Sequence, residues 1–160
     1  LVGAILFGEL STTAWKKYGS VEGDVIELRR LCLLDTCPRN TASKFISDAL
    51  KQLKKHFNYR VCISYADPYH GHVGFVYQAA NWQFIGVTPK DKKLITPEGR
   101  AYHSRALRTK YKGEYKPFVK RLRALHEKGL LKEITVPGKY IYRYNLEGKQ
   151  KPTEIPYPKL

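Results

Sequence analysis

Between Asp67 and Tyr77 the chain gathers side chains that can move protons. Asp67 follows Ser64-Tyr65-Ala66 at the end of an apolar run, Val61-Cys62-Ile63, and precedes Pro68; His70, Gly71 and His72 come next, then Tyr77. A carboxylate held at a strand end can orient or deprotonate an amine, although an Asp-Pro pair also commonly closes an Asx-turn. The Tyr77 phenol can act as a general acid or donate to a developing oxyanion; on an amphipathic helix it can equally be core. His72 can serve as a base. Asp67, His70 and His72 also have a D-x-x-H-x-H spacing that could ligate a divalent cation, but the sequence fixes no further ligand and no metal is assigned. A second group suits an anion. Arg39, Asn40, Thr41 and Ser43 stand at the start of a helical pattern, where free N–H groups and the helix dipole attract phosphate oxygens. Arg39 can add a bidentate pair. Arg29 or Arg30, projecting from a strand, could hold a phosphate or carboxylate.

These residues need strands and helices to bring them together. Leu1 to Phe7 reads as a strand closed by Gly8, and Ser11 to Gly23, around Trp15 and Tyr18, as a connection that could touch substrate. Val25 to Leu34 is a near-continuous apolar run interrupted by charge, as in a central strand that turns polar residues into a cleft. Pro38 stops helix continuation, Asn40 and Thr41 are good N-cap types, and a helix over 42–56 keeps Phe45, Ile46, Ala49, Leu50 and Leu53 on one face. Val61 to Ile63 reads as a buried strand ended by Ser64 to Pro68, and 73–80 as a helix closed by Asn81 in the left-handed conformation. Trp82 to Val87 then resumes a strand. Strand end and helix are expected to bring Asp67 and Tyr77 onto one cleft.

The second half is basic. The chain has 160 residues, enough for one compact core, and 29 Lys and Arg against 14 Asp and Glu give a net charge of +15. Such an excess repels itself unless a polyanion is the partner, and nucleic acid is the expected one. Thr88 to Thr96 reads as a polar loop with three lysines. Gly99 to Lys116 holds Arg100, Arg105, Arg108, Lys110 and Lys112, which can neutralise phosphates, interleaved with tyrosines that can stack on bases. A helix over 117–128, stopped by Gly129, should bury Phe118, Leu122 and Leu125 and leave Lys120, Arg121 and Arg123 in water. Leu131 to Val136 and Lys139 to Tyr144 are expected to form a hairpin about Pro137-Gly138, followed by an extended proline-containing tail. Cys32 and Cys62 read as small core residues, and no disulfide framework is indicated. The absence of methionine implies residues missing before Leu1, and Leu1 to Gly8 is too short to span a bilayer. A soluble intracellular protein is expected.

Val76-Tyr77-Gln78-Ala79-Ala80-Asn81-Trp82-Gln83-Phe84-Ile85-Gly86 resembles the ending of the GNAT-type acyltransferase core. Ser64 to Pro68 with Gly71-His72-Val73-Gly74 and Tyr77-Gln78-Ala79 resembles, more narrowly, the phage Mom family; the likeness runs roughly from Val25 to Trp82. It implies an α/β fold: a single GNAT-like domain over 1–160, with a mixed, mainly antiparallel sheet flanked by helices and a basic insertion at about 88–116. It implies a transferase that converts adenine in double-stranded DNA to its N6-carbamoylmethyl form, protecting phage DNA against host restriction. Asp67, Tyr77, His72 and Arg30 would be catalytic, and Tyr77 would sit where these enzymes place a tyrosine near the coenzyme thiol. The loop before the 42–56 helix would correspond to the acetyl-CoA pyrophosphate loop, with Arg39, Asn40, Thr41 and Ser43 as cofactor contacts. It departs from the usual pattern in having no glycine between Asp35 and His56. Simple acyl transfer does not give the product, because the new bond runs to a methylene carbon and the amide needs its own nitrogen. The protein would be phage- or prophage-encoded and act in the bacterial cytoplasm, as monomer or oligomer. A conventional acetyl-CoA-dependent N-acetyltransferase and a non-catalytic nucleic-acid-binding module are the competing readings.

Overall fold

A computed structural model of the chain describes residues 2–10 and 13–159. In chain order its elements are β1 (Gly3–Glu9), β2 (Val25–Leu33), α1 (Thr41–His56), β3 (Val61–Ala66), α2 (Phe75–Ala79), β4 (Gln83–Val87), β5 (Asp91–Ile95), β6 (Ala101–His103), β7 (Lys110–Tyr111), β8 (Glu114–Tyr115), α3 (Pro117–Glu127), β9 (Lys132–Val136) and β10 (Tyr140–Asn145). They divide into two compact units, residues 1–88 with 139–160, and residues 89–138. The fold is mixed α/β with mainly antiparallel sheets. Among the described residues no helix is long and apolar enough to cross a membrane.

The first unit is a five-stranded sheet in the order β1-β2-β3-β10-β4, in which only the β2–β3 pair is parallel. That pair needs a crossover, and α1 supplies it. One face of the sheet carries Ile26, Leu28, Cys62, Phe84 and Tyr142, packed against Ile46, Leu50 and Leu53 of α1 and Tyr77 and Ala80 around α2. The other carries Val25, Val61, Ile63, Ile85 and Ile141, packed with Trp15 and Tyr18. Strict alternation along β2 is broken at one point. Leu6 pairs with Arg30 but Phe7 pairs with Leu28, so Arg29 is the extra residue of a bulge. The bulge resets the alternation, which is how Leu31 joins Ile26 and Leu28 on the helix side.

The second unit pairs β6-β5-β9, with α3 and a separate β7–β8 hairpin. Lys112 (φ 49°) and Gly113 (φ 83°) turn that hairpin, as a two-residue loop with both centres left-handed requires.

Several expectations are corrected. Thr88 to Thr96 is not a loop: Asp91–Ile95 forms β5, which buries Leu94 and ties Lys92 to Glu133 at 2.6 Å across the strands. Its three charged residues, Asp91, Lys92 and Lys93, fall on both faces and hid the strand. The hairpin about Pro137-Gly138 does not form; β9 pairs with β5, and β10 lies between β3 and β4. Tyr142 is fully buried and needs neighbours on both edges, whereas β9 exposes Lys132, Glu133 and Thr135. On α3 the buried residue is Val119 rather than Phe118, which is 42% exposed. Arg123 is half-buried, its guanidinium over the Tyr115 ring. β3 continues through Ser64 to Ala66, since Tyr140 to Tyr142 of β10 continue its ladder. The 73–80 helix is the shorter Phe75–Ala79, because Gly74 enters it left-handed. Gly8 is inside β1 rather than after it. Cys32 is exposed; Cys62 is buried, and all three cysteines are unpaired thiols. Leu1 of the first strand, and Ser11 and Thr12 of the first connection, lie outside the described residues. As expected, Asn81 ends α2 left-handed at φ 58°, with Trp82 N–H donating to the Tyr77 carbonyl at 3.0 Å. The tail closes on the sheet, Tyr157 donating to the Trp82 carbonyl at 2.7 Å.

Candidate functional site

The parallel ladder stops before its strands do. Pairing between β2 and β3 ends at Leu28 and Ser64, yet β2 continues to Leu33 bonded only to β1, and β3 continues to Ala66 bonded only to β10. Ser64 closes the last step, its hydroxyl donating toward the Leu28 carbonyl at 2.9 Å. Beyond it the sheet opens at the carboxyl ends of two parallel strands, where α/β sheets bind ligands. The loops that leave β2 and β3, carrying Arg39 to Ser43 and Asp67 to Gly74, both start from this end.

On the helix side stands Tyr77. It is buried, its ring 5.2 Å from Trp82 and 5.1 Å from Tyr142, and its hydroxyl lies within hydrogen-bond distance of the same Ser64 hydroxyl, 2.7 Å away. Burial raises the phenol's pKa, so it keeps its proton at neutral pH. The loop before α2 is tied down by a buried phenol: Tyr142 donates to the Val73 carbonyl at 2.5 Å and accepts from Gln78 at 3.0 Å. Gly74 packs so closely that a Cβ there would lie 2.4 Å from the Tyr142 ring.

On the opposite face stand two residues that the sequence reading missed, Glu27 and Tyr65. Glu27 alternates with the buried Ile26 and Leu28, and Tyr65 with the buried Ser64 and Ala66, so both lie on the sheet face away from α1. Desolvation raises the pKa of Glu27, against the lowering effect of Arg29, Lys139 and Arg30. The Arg29 guanidinium lies 3.7 Å from its carboxylate. Burial likewise raises the pKa of Tyr65, whose hydroxyl is 3.2 Å from that of Tyr18. Perturbed acids of this kind cluster at functional sites.

Asp67 belongs to this side of the sheet. Its carboxylate accepts the Tyr69 N–H at 3.0 Å, an Asx-turn, and lies 3.8 Å from the Lys139 ammonium. Asp67 and Tyr77 therefore take different partners, one on each side of β3. The His72 amide donates to the Asp67 carbonyl at 3.2 Å while its ring is exposed, and His70 is exposed against Tyr69. Among the described residues no three His, Cys, Asp or Glu side chains converge on one metal-sized position. Arg30 is exposed on β2, its guanidinium donating to the Arg29 carbonyl at 3.1 Å; Arg29 reaches the Glu9 carbonyl.

The start of α1 is open rather than capped. Asn40 sits left-handed at φ 68° and makes no side-chain cap. Thr41 and Ser43 turn their hydroxyls back to the carbonyls of Pro38 (2.7 Å) and Asn40 (3.0 Å). The expected capping by Asn40 and Thr41 is thus corrected: Asn40, in the left-handed conformation, makes no cap, and the Thr41 hydroxyl is taken up by the Pro38 carbonyl. The first turn carries no acidic residue and Arg39 is exposed beside it. That combination suits an anion.

Arg100, Arg105, Arg108, Lys110 and Lys112 all lie exposed in the second unit. Lys110 stands over the Tyr115 ring at 5.0 Å, and Lys112 and Lys116 over Tyr111 at 5.7 and 5.2 Å. The unit has fourteen Lys and Arg against five Asp and Glu in fifty residues, so it carries more than half of the chain's net charge.

The model of the Mom protein family matches residues 1–159. A methylcarbamoylase Mom of Escherichia phage Mu is 38% identical over 79 residues, covering 49% of this chain and 32% of that relative. The chain thus spans about a third of that relative's length.

Proposed function

The chain belongs to the Mom protein family, and from that premise we propose that it is a DNA-modifying transferase that acts on the exocyclic amine of adenine, giving the N6-carbamoylmethyl base in phage DNA. The observation that carries this reading is the opening of the β2–β3 ladder, with a protonated phenol on one side and carboxylates on the other. A strand, an anion-suited loop, a helix and a parallel strand are also what a GNAT-like transferase requires. The donor enters on the helix side. Its phosphates, as in acetyl-CoA and other coenzyme A derivatives, meet the first-turn N–H groups of α1 with Arg39, Asn40, Thr41 and Ser43. Its reacting end is a methylene carbon that already carries the carboxamide and a leaving group, and Tyr77 donates a hydrogen bond to that group as its bond to the methylene breaks and the adenine nitrogen bonds there. The adenine enters from the opposite face, where Glu27 or Asp67 takes the amine proton. Arg30 and His72 flank that entrance. The target amine lies inside the duplex stack, so the base is everted first, and the exposed basic side chains of the second unit hold the double strand. The phage relative is named a methylcarbamoylase, which supports a group-transfer reading.

The test is nucleoside mass spectrometry of DNA from bacteria expressing the chain. Carbamoylmethylated adenine is expected with wild type and should fall about a hundredfold or more in Asp67→Asn, Glu27→Gln and Tyr77→Phe. Unmodified adenine with wild type would sink the reading, and an acetylated amine would replace it with conventional acetyl transfer. Calorimetry with acetyl-CoA tests the donor separately.

A further inference from the structure

The second unit holds a cleft of about 280 Å³ whose walls include Thr96, Glu98, Arg100, Tyr102, Phe118 and Arg121. Its shape is set by α3. Val119 is fully buried and Leu122 nearly so, which leaves Phe118, one position before Val119, turned outward and 42% exposed. The Phe118 ring is not alone there. It lies within 15° of parallel to Tyr102, with centroids 6.4 Å apart, close to twice the base-stacking interval of about 3.4 Å.

The polar rim is mixed in sign. Arg121 donates to the Glu98 carboxylate at 2.8 Å, and the Thr96 hydroxyl accepts the Arg100 amide at 3.2 Å. A bare phosphate or an acidic peptide would be repelled by Glu98, and an acyl chain gains nothing from a guanidinium–carboxylate pair. A nucleobase fits both features. It is flat, it stacks on aromatic rings, and its edge presents donors and acceptors side by side, which a carboxylate and a guanidinium read together. The fourteen basic side chains of this unit suit the attached phosphates.

We propose that this cleft is a nucleobase site: it takes a base that has left the stack of a DNA strand, holds it against Tyr102 and Phe118, meets its edge with Arg121 and Glu98, and leaves Arg100 for the adjoining phosphate. The proposal rests on the reading that the chain acts on DNA, and it places a base contact outside the transfer site of the first unit.

The experiment uses the full 160-residue chain and oligonucleotides carrying 2-aminopurine, whose fluorescence changes on restacking. Three arms are compared: a single strand, a duplex with 2-aminopurine opposite an abasic position, and the free 2-aminopurine nucleotide. Wild type is expected to quench the probe in the strand arms. Phe118→Ala and Tyr102→Ala, with unfolding midpoints confirming the fold, should each weaken single-strand binding by about 5- to 150-fold. Phe118→Tyr should restore it, and the salt slope for fully paired duplex should stay unchanged. Quenching in the abasic duplex identifies an everted base, and quenching in the single strand alone identifies an unpaired strand; either supports the site. Alanine variants that bind and quench like wild type would overturn it, as would equal affinity for the free nucleotide. Loss of all oligonucleotide binding by wild type would overturn both this site and the proposed function. Unmodified nucleosides with intact quenching would remove only the latter.

Discussion

Glu27 shows what a single carboxylate can report. It lies on the sheet face away from α1, and desolvation outweighs the attraction of Arg29 and Lys139, so its pKa in the folded chain lies above the ordinary value of 4.5. The folded state therefore holds a proton that the unfolded chain has already lost, and linkage makes stability fall as pH rises through that window. The stability is fully present below about pH 4.3 and lost as pH climbs past the raised folded value. Glu27→Gln keeps the shape and removes the titration. Its melting temperature should equal or exceed that of wild type at pH 7, with the difference vanishing below about pH 4. A variant less stable than wild type at neutral pH would mean that the pairing with Arg29 outweighs the desolvation. Tyr65 was overlooked for the same reason as Glu27: in a strand of mixed polarity the sequence does not say which alternate set faces inward.

Two helices hold the loops at the end of the parallel strands. α2 has only five residues and would not persist alone; its start is fixed by Gly74 at φ 84° against the Tyr142 ring. Gly74→Ala combines a disfavoured backbone region with a clash and should cost about 2–4 kcal/mol in denaturant unfolding. A cost below about 1 kcal/mol would show that the loop can move off Tyr142. At α1 the logic reverses. Asn40 is left-handed at φ 68° and caps nothing with its side chain, so Asn40→Gly should be neutral or stabilising by up to about 1 kcal/mol. If Asn40→Gly is instead destabilising by more than that, the amide has a partner in solution. The same variant leaves the first-turn N–H groups in place, so acetyl-CoA titrations on it separate backbone binding from side-chain binding.

At the scale of the whole molecule charge dominates. The chain carries +15, and Arg105, Arg108 and Lys112 stand exposed in the unit that holds most of that excess. Duplex affinity should fall steeply with salt, and neutralising all three should lower the slope of log affinity against log salt by about 0.9 for each phosphate that is no longer neutralised. Gel-shift titrations at several salt concentrations measure it. An unchanged slope would place the phosphates on other residues, such as Lys116 or Lys120.

The sequence by itself determined the parts whose signals are local. The β2, loop, α1 series was legible because a near-continuous apolar run and then a 3.6-residue period read directly from Val25 to Leu53. The end of α2 was legible because Asn81 tolerates the left-handed turn, and the basic character of 100–116 because charge needs no fold to be counted. Tertiary structure decided everything that depends on who sits beside whom. β9 and β10 are close neighbours in the chain, yet they enter different sheets, since Tyr142 needs two flanking strands and β9 needs one. Lys92 and Lys93 hid β5 because the cross-strand partner of Lys92, Glu133, is distant in sequence. Asp67 and Tyr77, ten residues apart, take partners on opposite sides of β3, because α2 packs Tyr77 into the core against Trp82 and Tyr142 while the turn after β3 leaves Asp67 beside Lys139. The opening beyond Leu28 and Ser64 exists only where two distant strands stop pairing, and no property of either strand alone specifies that point.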